Sequence, residues 1–476
     1  HWATAGFFGR LNYNYKEKYL LEVNGRYDGT SRFMKDQRWN FFPSFSLGWN
    51  VARENFWKPL ESVVNQFKLR GSWGELGNQN TSNLYPFYEI LPVKSNSGNW
   101  LVNGGKTNTA DIPSLVSTLL TWERVRSFNV GFDFGAFSNR LTGSFDYFVR
   151  KTVDMVGPAP QLPLVLGIAP AIVNNADMKS YGFEIELSWR DRIGEVDYGV
   201  KFNLADAQQK VVKYPNTTNA FSDWYAGKMS GEIWGYTSLG IAKTDEEMKE
   251  HLVSLPNGGQ NQLGNKWGAG DIMYADINGD GKVDGGKGTL ADPGDQRIIG
   301  NSTPRYNFGL VLDASYKGFD VSIFFQGVGK RDYAPIVGTN GAVFWGAVNN
   351  IWQSMAMEEH FDYFRPEGHP MGANLNGYYP RPDFTSNKNH QVQTRYLQDA
   401  SYIRLKNLQI GYTLPKQWIN KLHINRCRVY VSGDNLWTGT SLASMFDPET
   451  LAAGDWGSGK TYPLSKVISF GLNVNF

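Results

Sequence analysis

The stretch Asp276-Ile277-Asn278-Gly279-Asp280-Gly281-Lys282-Val283-Asp284 places side-chain oxygens at positions 1, 3, 5 and 9 of a loop, with glycine at position 6. That is the spacing of an EF-hand-type calcium loop, where the glycine permits a sharp turn and position 7, here Lys282, offers its backbone carbonyl. The pattern departs at position 12, where a bidentate Glu is expected and Lys287 stands. The expected metal residues read from this spacing are Asp276, Asn278, Asp280, Lys282 and Asp284, and hard oxygen donors point to calcium. Its role would be structural, fixing a long loop whose backbone loses conformational entropy on ordering. The competing reading is a polar loop held by its own Asx turns, without metal.

No other cluster carries chemistry. Glu358, Glu359 and His360, with His369 and His390 further on, lack the helical H-E-x-x-H spacing of a zinc hydrolase and read as polar loop residues. Gly105-Lys106-Thr107 resembles the end of a phosphate loop, but Trp100 stands where its first glycine belongs. No Ser, Cys or Thr lies in a nucleophile motif, so no catalytic residue and no enzyme activity are expected. The net charge of +2, from 47 basic and 45 acidic residues without a basic block, gives no sign of nucleic acid as a partner. The single cysteine, Cys427, excludes an intrachain disulfide and falls in phase with Val429 and Val431 as an apolar filler.

The elements that must carry the acidic loop are strands. Residues 468–476 alternate Ile468, Phe470, Leu472 and Val474 with Ser469, Gly471, Asn473 and Asn475. The same period of two sets Tyr181, Phe183, Ile185, Leu187 and Trp189 against Gly182, Glu184, Glu186 and Ser188. It also sets Phe128, Val130, Phe132 and Phe134 against Asn129, Gly131 and Asp133, and Phe319, Val321, Ile323 and Phe325 against Asp320, Ser322 and Gln326. One apolar and one wet face repeated along a chain imply an all-β transmembrane antiparallel barrel, lipid outside and water inside. A mean hydropathy of -0.41 and 19% charged residues do not exclude this, because half of each barrel strand faces water. The most apolar stretch, 162–173, is well short of the roughly 20 residues of a membrane helix.

Strands are expected near 4–15, 18–27, 40–52, 66–77, 123–136, 140–151, 178–190, 195–209, 305–316, 318–330, 400–414, 426–437 and 465–476. Short turns at Lys16-Glu17, Ser138-Asn139, Arg192-Ile193-Gly194 and Lys317-Gly318 alternate with long segments 28–39, 78–122, 152–177, 210–304, 331–399 and 438–464; 53–65 and 415–425 take short-side places. Outer-membrane barrels have short periplasmic turns and long external loops. Counting back from a periplasmic Phe476 gives an odd strand number, so residue 1 is expected near an external loop, with preceding strands absent or on another chain. The start His1-Trp2-Ala3-Thr4 carries no signal peptide, which reads as a processed, truncated or partial chain. Trp39, Phe41, Phe42, Trp49, Phe56, Trp57, Trp189 and Tyr430 are the expected interfacial girdles.

Several segments in order carry a resemblance: Phe41-Phe42-Pro43-Ser44-Phe45-Ser46-Leu47-Gly48-Trp49, Leu69-Arg70-Gly71-Ser72-Trp73-Gly74-Glu75-Leu76-Gly77-Asn78-Gln79, Leu120-Thr121-Trp122-Glu123 and Asn139-Arg140-Leu141-Thr142-Gly143-Ser144. Tyr402-Ile403-Arg404-Leu405-Lys406-Asn407-Leu408, Gly411-Tyr412-Thr413-Leu414-Pro415, Asp434-Asn435-Leu436-Trp437 and Phe446-Asp447-Pro448-Glu449 complete it. Together they resemble the carboxy-terminal barrel of the SusC/RagA family of TonB-dependent outer-membrane transporters, typical of Bacteroidetes. The resemblance implies a barrel of about 22 strands with an amino-terminal plug, a TonB-contacting segment and a SusD-like surface lipoprotein as lid. In that family a similar acidic loop runs on into an acidic residue and Arg, as Asp295-Gln296-Arg297 does here after an insertion, so the resemblance implies that Asp295, with Asp292 as a substitute, completes the metal residues. Residues 1–476 would then be the C-terminal part of the barrel, in the bacterial outer membrane against the lipid bilayer, with the plug-bearing portion upstream or on a separate chain.

The implied function is TonB-dependent active import of a bulky nutrient. Trp224, Trp234, Trp267, Trp345, Trp352, Tyr378, Tyr379 and Trp456 in the external segments suit stacking on sugars or packing on a partner, which favours oligosaccharide over oligopeptide. Packing of loop on loop is the alternative for each ring. Segments 331–399 and 438–464 are the expected lid interface and substrate cavity. A passive porin-type channel, and less so a soluble carbohydrate-binding β protein, are the competing functions.

Overall fold

The computed structural model describes residues 1–81, 84–157, 165, 167–168, 170–335, 342–346, 356–383, 388–420, 423–451 and 461–476. Thirteen strands form one antiparallel sheet in chain order. They are β1 (Thr4–Tyr15), β2 (Tyr19–Thr30), β3 (Trp39–Asn50), β4 (Val64–Asn78), β5 (Glu123–Ala136), β6 (Leu141–Gly157) and β7 (Val173–Ile193), then β8 (Val196–Lys213), β9 (Arg305–Tyr316), β10 (Phe319–Lys330), β11 (Tyr402–Thr413), β12 (Arg426–Thr440) and β13 (Val467–Asn475). β1 and β13 end the order. Tight reversals need left-handed backbone, which matches the twist of paired strands. Lys16 and Glu17 (φ 50 and 55) supply it between β1 and β2, and Lys317 and Gly318 (φ 46 and 91) between β9 and β10.

Contacts divide the chain into two compact units. In the first, built mainly from His1–Ile185, the register runs Leu11, Val23, Phe45, Trp73, Phe128, Val149 across β1 to β6. Leu11, Val23, Phe45 and Phe128 stand exposed, as a lipid-facing row should. The neighbouring row on the opposite face reads Asn12, Glu22, Ser46, Ser72, Asn129. Strands β6 and β7 outrun their expected ends at 151 and 178. Asp154, at φ 56, turns its N–H onto Asp177 Oδ1 at 3.0 Å, and Arg124 holds its carboxylate at 2.9 Å, so the pairing continues past the irregularity.

In the second unit, which contains Ser230–Phe476, the outward row is Val196, Tyr316, Phe319, Tyr412, Val429, Leu472 across β8 to β13. Cys427 pairs with Val474 in that phase and is buried. Two expected girdle rings face the other way. Tyr430 lies in register with Gly411 and Gly471, on the face of Asp320, and its ring covers Gly471. In the first unit, Phe42 is buried with Phe33, Leu120 and Trp122 and covers Gly77. At Tyr430 the ring fills the space that a strand glycine leaves on the polar face.

Candidate functional site in the loop layer

The residues from 230 to 304 are folded, not a bare loop. Glu232–Gly235 pairs with Arg297–Asn301, Ser238–Ile241 pairs with Ile272–Tyr274, and helix α1 (Asp245–Val253) is capped by Thr244, whose Oγ1 accepts the Glu247 N–H at 3.1 Å. The acidic loop follows Tyr274. Gly279 and Gly281, at φ 76 and 81, bend it so that the Asp276 carboxylate accepts both of their N–H groups, at 2.6 and 2.8 Å. Asn278 Oδ1 accepts the Asp280 N–H at 3.0 Å, Asp280 Oδ1 the Lys282 N–H at 3.2 Å, and Asp284 Oδ1 the Gly286 N–H at 2.7 Å. Asp295 arrives fully buried from the far side of the insertion. Its carboxylate accepts the Ile277 N–H at 2.7 Å and the Asp284 N–H at 2.8 Å.

All six expected residues are thus brought to one turn, and Asp295 rather than Asp292 closes it. Asp292 instead turns the insertion, its N–H on Thr289 Oγ1 at 3.2 Å. The Lys282 ammonium lies 2.5 Å from Asp284 Oδ2, a contact the spacing alone did not indicate. Lys282 and the Gly286 N–H hold the Asp284 carboxyl below the usual carboxylate range, and Asp284 raises the Lys282 ammonium. The donor set is chemically suited to a hard cation. Its geometry is that of a loop closed on its own amides, and among the described residues no three Asp, Glu, His or Cys side chains gather as a metal-holding group.

Val283 carries this loop into an aromatic core made entirely by connections: Tyr274, Phe344, Trp345, Tyr379, Tyr396 and Phe446 are among its buried members. Several rings expected to face substrate therefore serve packing. Trp345 and Tyr379 are buried, the Tyr378 hydroxyl oxygen accepts the Gln398 Nε2–H at 2.9 Å, Trp267 packs on the core, and Trp234 stacks on Phe221 at 4.6 Å. Trp224 is exposed; Trp352 and Trp456 lie outside the described residues. His360 is buried too, its Nδ1 accepting the Met357 N–H at 3.0 Å and its Nε2 facing the Val343 and Phe344 carbonyls, so both nitrogens serve the fold.

Sequence reasoning missed the charged centre of this layer. Asp271, fully buried, receives Arg381 Nε and Nη2 at 2.8 and 2.6 Å, Lys388 Nζ at 2.9 Å, Asn389 Nδ2 at 2.9 Å and the Gly268 N–H at 2.9 Å. Asp383 lies 3.7 Å from Lys388.

On the wall, the quoted motifs are tied by polar side chains, some to one another and some to neighbouring strands. Arg70 spans Asp133 and Asp146, each at 2.8 Å. Asn78 donates to Glu123 at 2.6 Å, and the Trp122 indole to the Arg38 carbonyl at 3.0 Å. Arg404 grips Asp447 at 2.8 Å and Glu449 at 2.7 Å, and Lys406 reaches Glu449 at 2.6 Å. A bulge between Leu405 and Asn407 lets Arg404 and Lys406 share a face despite even spacing with outward Leu408. A recess of about 460 Å³ on the first unit is lined by Asn12, Asn14, Glu22, Lys68, Arg70 and Asn129, among others.

Comparison with known proteins agrees with this architecture. Residues 3–436 match the family model described as TonB dependent receptor-like, beta-barrel. The TonB-dependent receptor P3 of Formosa agariphila is 30% identical over 98% of this chain and 45% of its own length. The TonB-dependent receptor SusC of Bacteroides thetaiotaomicron is 24% identical over all of this chain and 44% of its own. The solved RagAB peptide transporter superposes with a TM-score of 0.75 at 22% identity, over 100% of this chain and 48% of that one. The chain spans about half the length of the relatives it matches.

Proposed function

The chain belongs to the TonB-dependent receptor β-barrel family, in its SusC/RagA branch, and from that premise we propose that it forms wall and external loops of an active importer. Proteins of this family are outer-membrane transporters and receptors rather than an enzyme class. The observation that carries the reading is the thirteen-strand sheet with an exposed apolar face and an ion-paired polar face, matched over residues 3–436. A plug-bearing portion, TonB and a SusD-like lipoprotein lid complete the proposal. The cargo is a bulky nutrient, with oligosaccharide as first reading. Oligopeptide is the second, supported because Trp345 and Tyr379 are buried and cannot stack on a sugar, and because the similar RagAB protein is a peptide transporter. Uptake of labelled oligosaccharides and oligopeptides by cells carrying the complete receptor, with and without TonB, tests it; uptake that persists without TonB would point to a passive channel.

We also propose calcium as a structural ligand of the acidic loop, supported by the order of its oxygen donors and by closure through Asp295. The residues that would hold it are Asp276, Asn278, Asp280, Asp284, Asp295 and the Lys282 carbonyl. When bound, the ion would tie these oxygens together; Lys282 must then release Asp284.

A further inference from the structure

On the lipid-facing side of the first unit, three strands change character at one level. Trp73, Phe128 and Val149 form an apolar row across β4, β5 and β6, and the next outward row is Glu75, Arg126, Lys151. The turn joining β5 to β6 at 137–140 lies at the opposite end of these strands, so the charged row lies toward the long connections, on the external side. Outward positions on β6 run Gly143, Phe145, Tyr147, Val149 before Lys151. At about 3.3 Å per residue and a tilt near 40°, this carries the row to the upper edge of the hydrocarbon band, where headgroups begin.

The charges in this row do not balance. Glu75 is spent on Arg126 in an ion pair. Lys151 pairs directly with Arg126 in the strand register, is exposed, and has no carboxylate within ion-pair distance among the described residues. One row further out, Arg124 takes Asp154 at 2.9 Å. Lys179 of β7 shares the outward phase, its ammonium 5.1 Å from the Tyr181 ring centroid. Like charges directly opposite on neighbouring strands repel unless an anion lies between them. A basic group at the rim of a bilayer is drawn to an anionic headgroup.

We propose that Lys151 and Arg126 form a site for the phosphate of an outer-leaflet lipid, whose acyl chains lie on the Trp73, Phe128 and Val149 row. The inference rests on the outer-membrane barrel reading and not on transport, and its test reads lipid alone. The phosphate meets the Lys151 ammonium and the Nη edge of Arg126, whose Nε is held by Glu75, and the apolar row below supplies the surface for the chains.

The test titrates the complete receptor in mild detergent with lipid A by native mass spectrometry, beside the same lipid stripped of phosphate and with millimolar inorganic phosphate as competitor. The expected result is preference for the phosphorylated lipid, weakened about fivefold by Lys151→Ala and retained in Lys151→Arg, with no displacement by inorganic phosphate. Heat-modifiable migration of each variant verifies folding. Equal affinity of wild type and Lys151→Ala, equal retention of the stripped lipid, or displacement by free phosphate would each overturn the proposal. None of these outcomes bears on TonB-dependent uptake, so the two readings fail separately.

Discussion

Lys282 decides how the acidic loop behaves. Its ammonium sits on Asp284 where a cation would draw the same oxygen, so Lys282→Ala is expected to tighten calcium binding in calorimetry and Asp280→Ala to weaken it. In the Asp280→Ala protein, segment 270–300 is expected to become protease-sensitive; cleavage unchanged by chelator in the wild type would speak for a loop closed on its own amides. Because the Asp284 carboxyl is depressed, its ion pair contributes fully above the ordinary carboxylate range and is lost as pH falls through the lowered value. Asp271 makes a second prediction. Asp271→Asn leaves Arg381 and Lys388 facing each other with their buried counter-ion gone, which is expected to cost the loop layer roughly 3–5 kcal/mol, read from its thermal transition. The acidic loop was legible because its donors alternate within nine residues. The Asp271 centre was not, because its partners stand 110 and 117 residues away and no local pattern marks a long-range ion pair.

At the scale of elements, period two located all thirteen strands because each must turn one face to lipid, and a slip of one residue would reverse it. The ring assignments were less secure. An aromatic at a strand end reads as a girdle, yet Phe42 and Tyr430 fall in the polar phase, and at Tyr430 a cross-strand glycine makes room for the ring. The loops hid more, since a connection that folds over its own aromatic core carries no simple period. Arg404→Met is expected to free residues 446–451 from the wall, because Asp447 would lose its guanidinium and Glu449 would keep only Lys406. Hydrogen exchange should rise in 446–451 and stay unchanged in β1 to β4. At the turn after β3, Glu54 accepts Lys18 at 2.9 Å and Tyr19 at 2.7 Å and its carboxyl is drawn down to about 2. This tie is fully present above the ordinary value of 4.5 and is lost as pH falls from there through about 2. Exchange of the Asn50 amide, which donates to the Lys18 carbonyl, should stay slow down to that window in the wild type and not in Glu54→Gln.

For the whole molecule, the two-faced sheet and the match to TonB-dependent receptors describe a wall, and the chain covers about half of its relatives' length. An importer also needs a plug to gate the lumen and a lid to hold cargo, neither of which a wall can supply. The most direct measurement is the identification, by intact mass and peptide sequencing, of everything that co-purifies with this chain from outer membranes in mild detergent. The account predicts a plug-bearing portion, on the same or a separate polypeptide, together with a SusD-like lipoprotein. Recovery of this chain alone as a closed homo-oligomer that conducts solutes without TonB would contradict it.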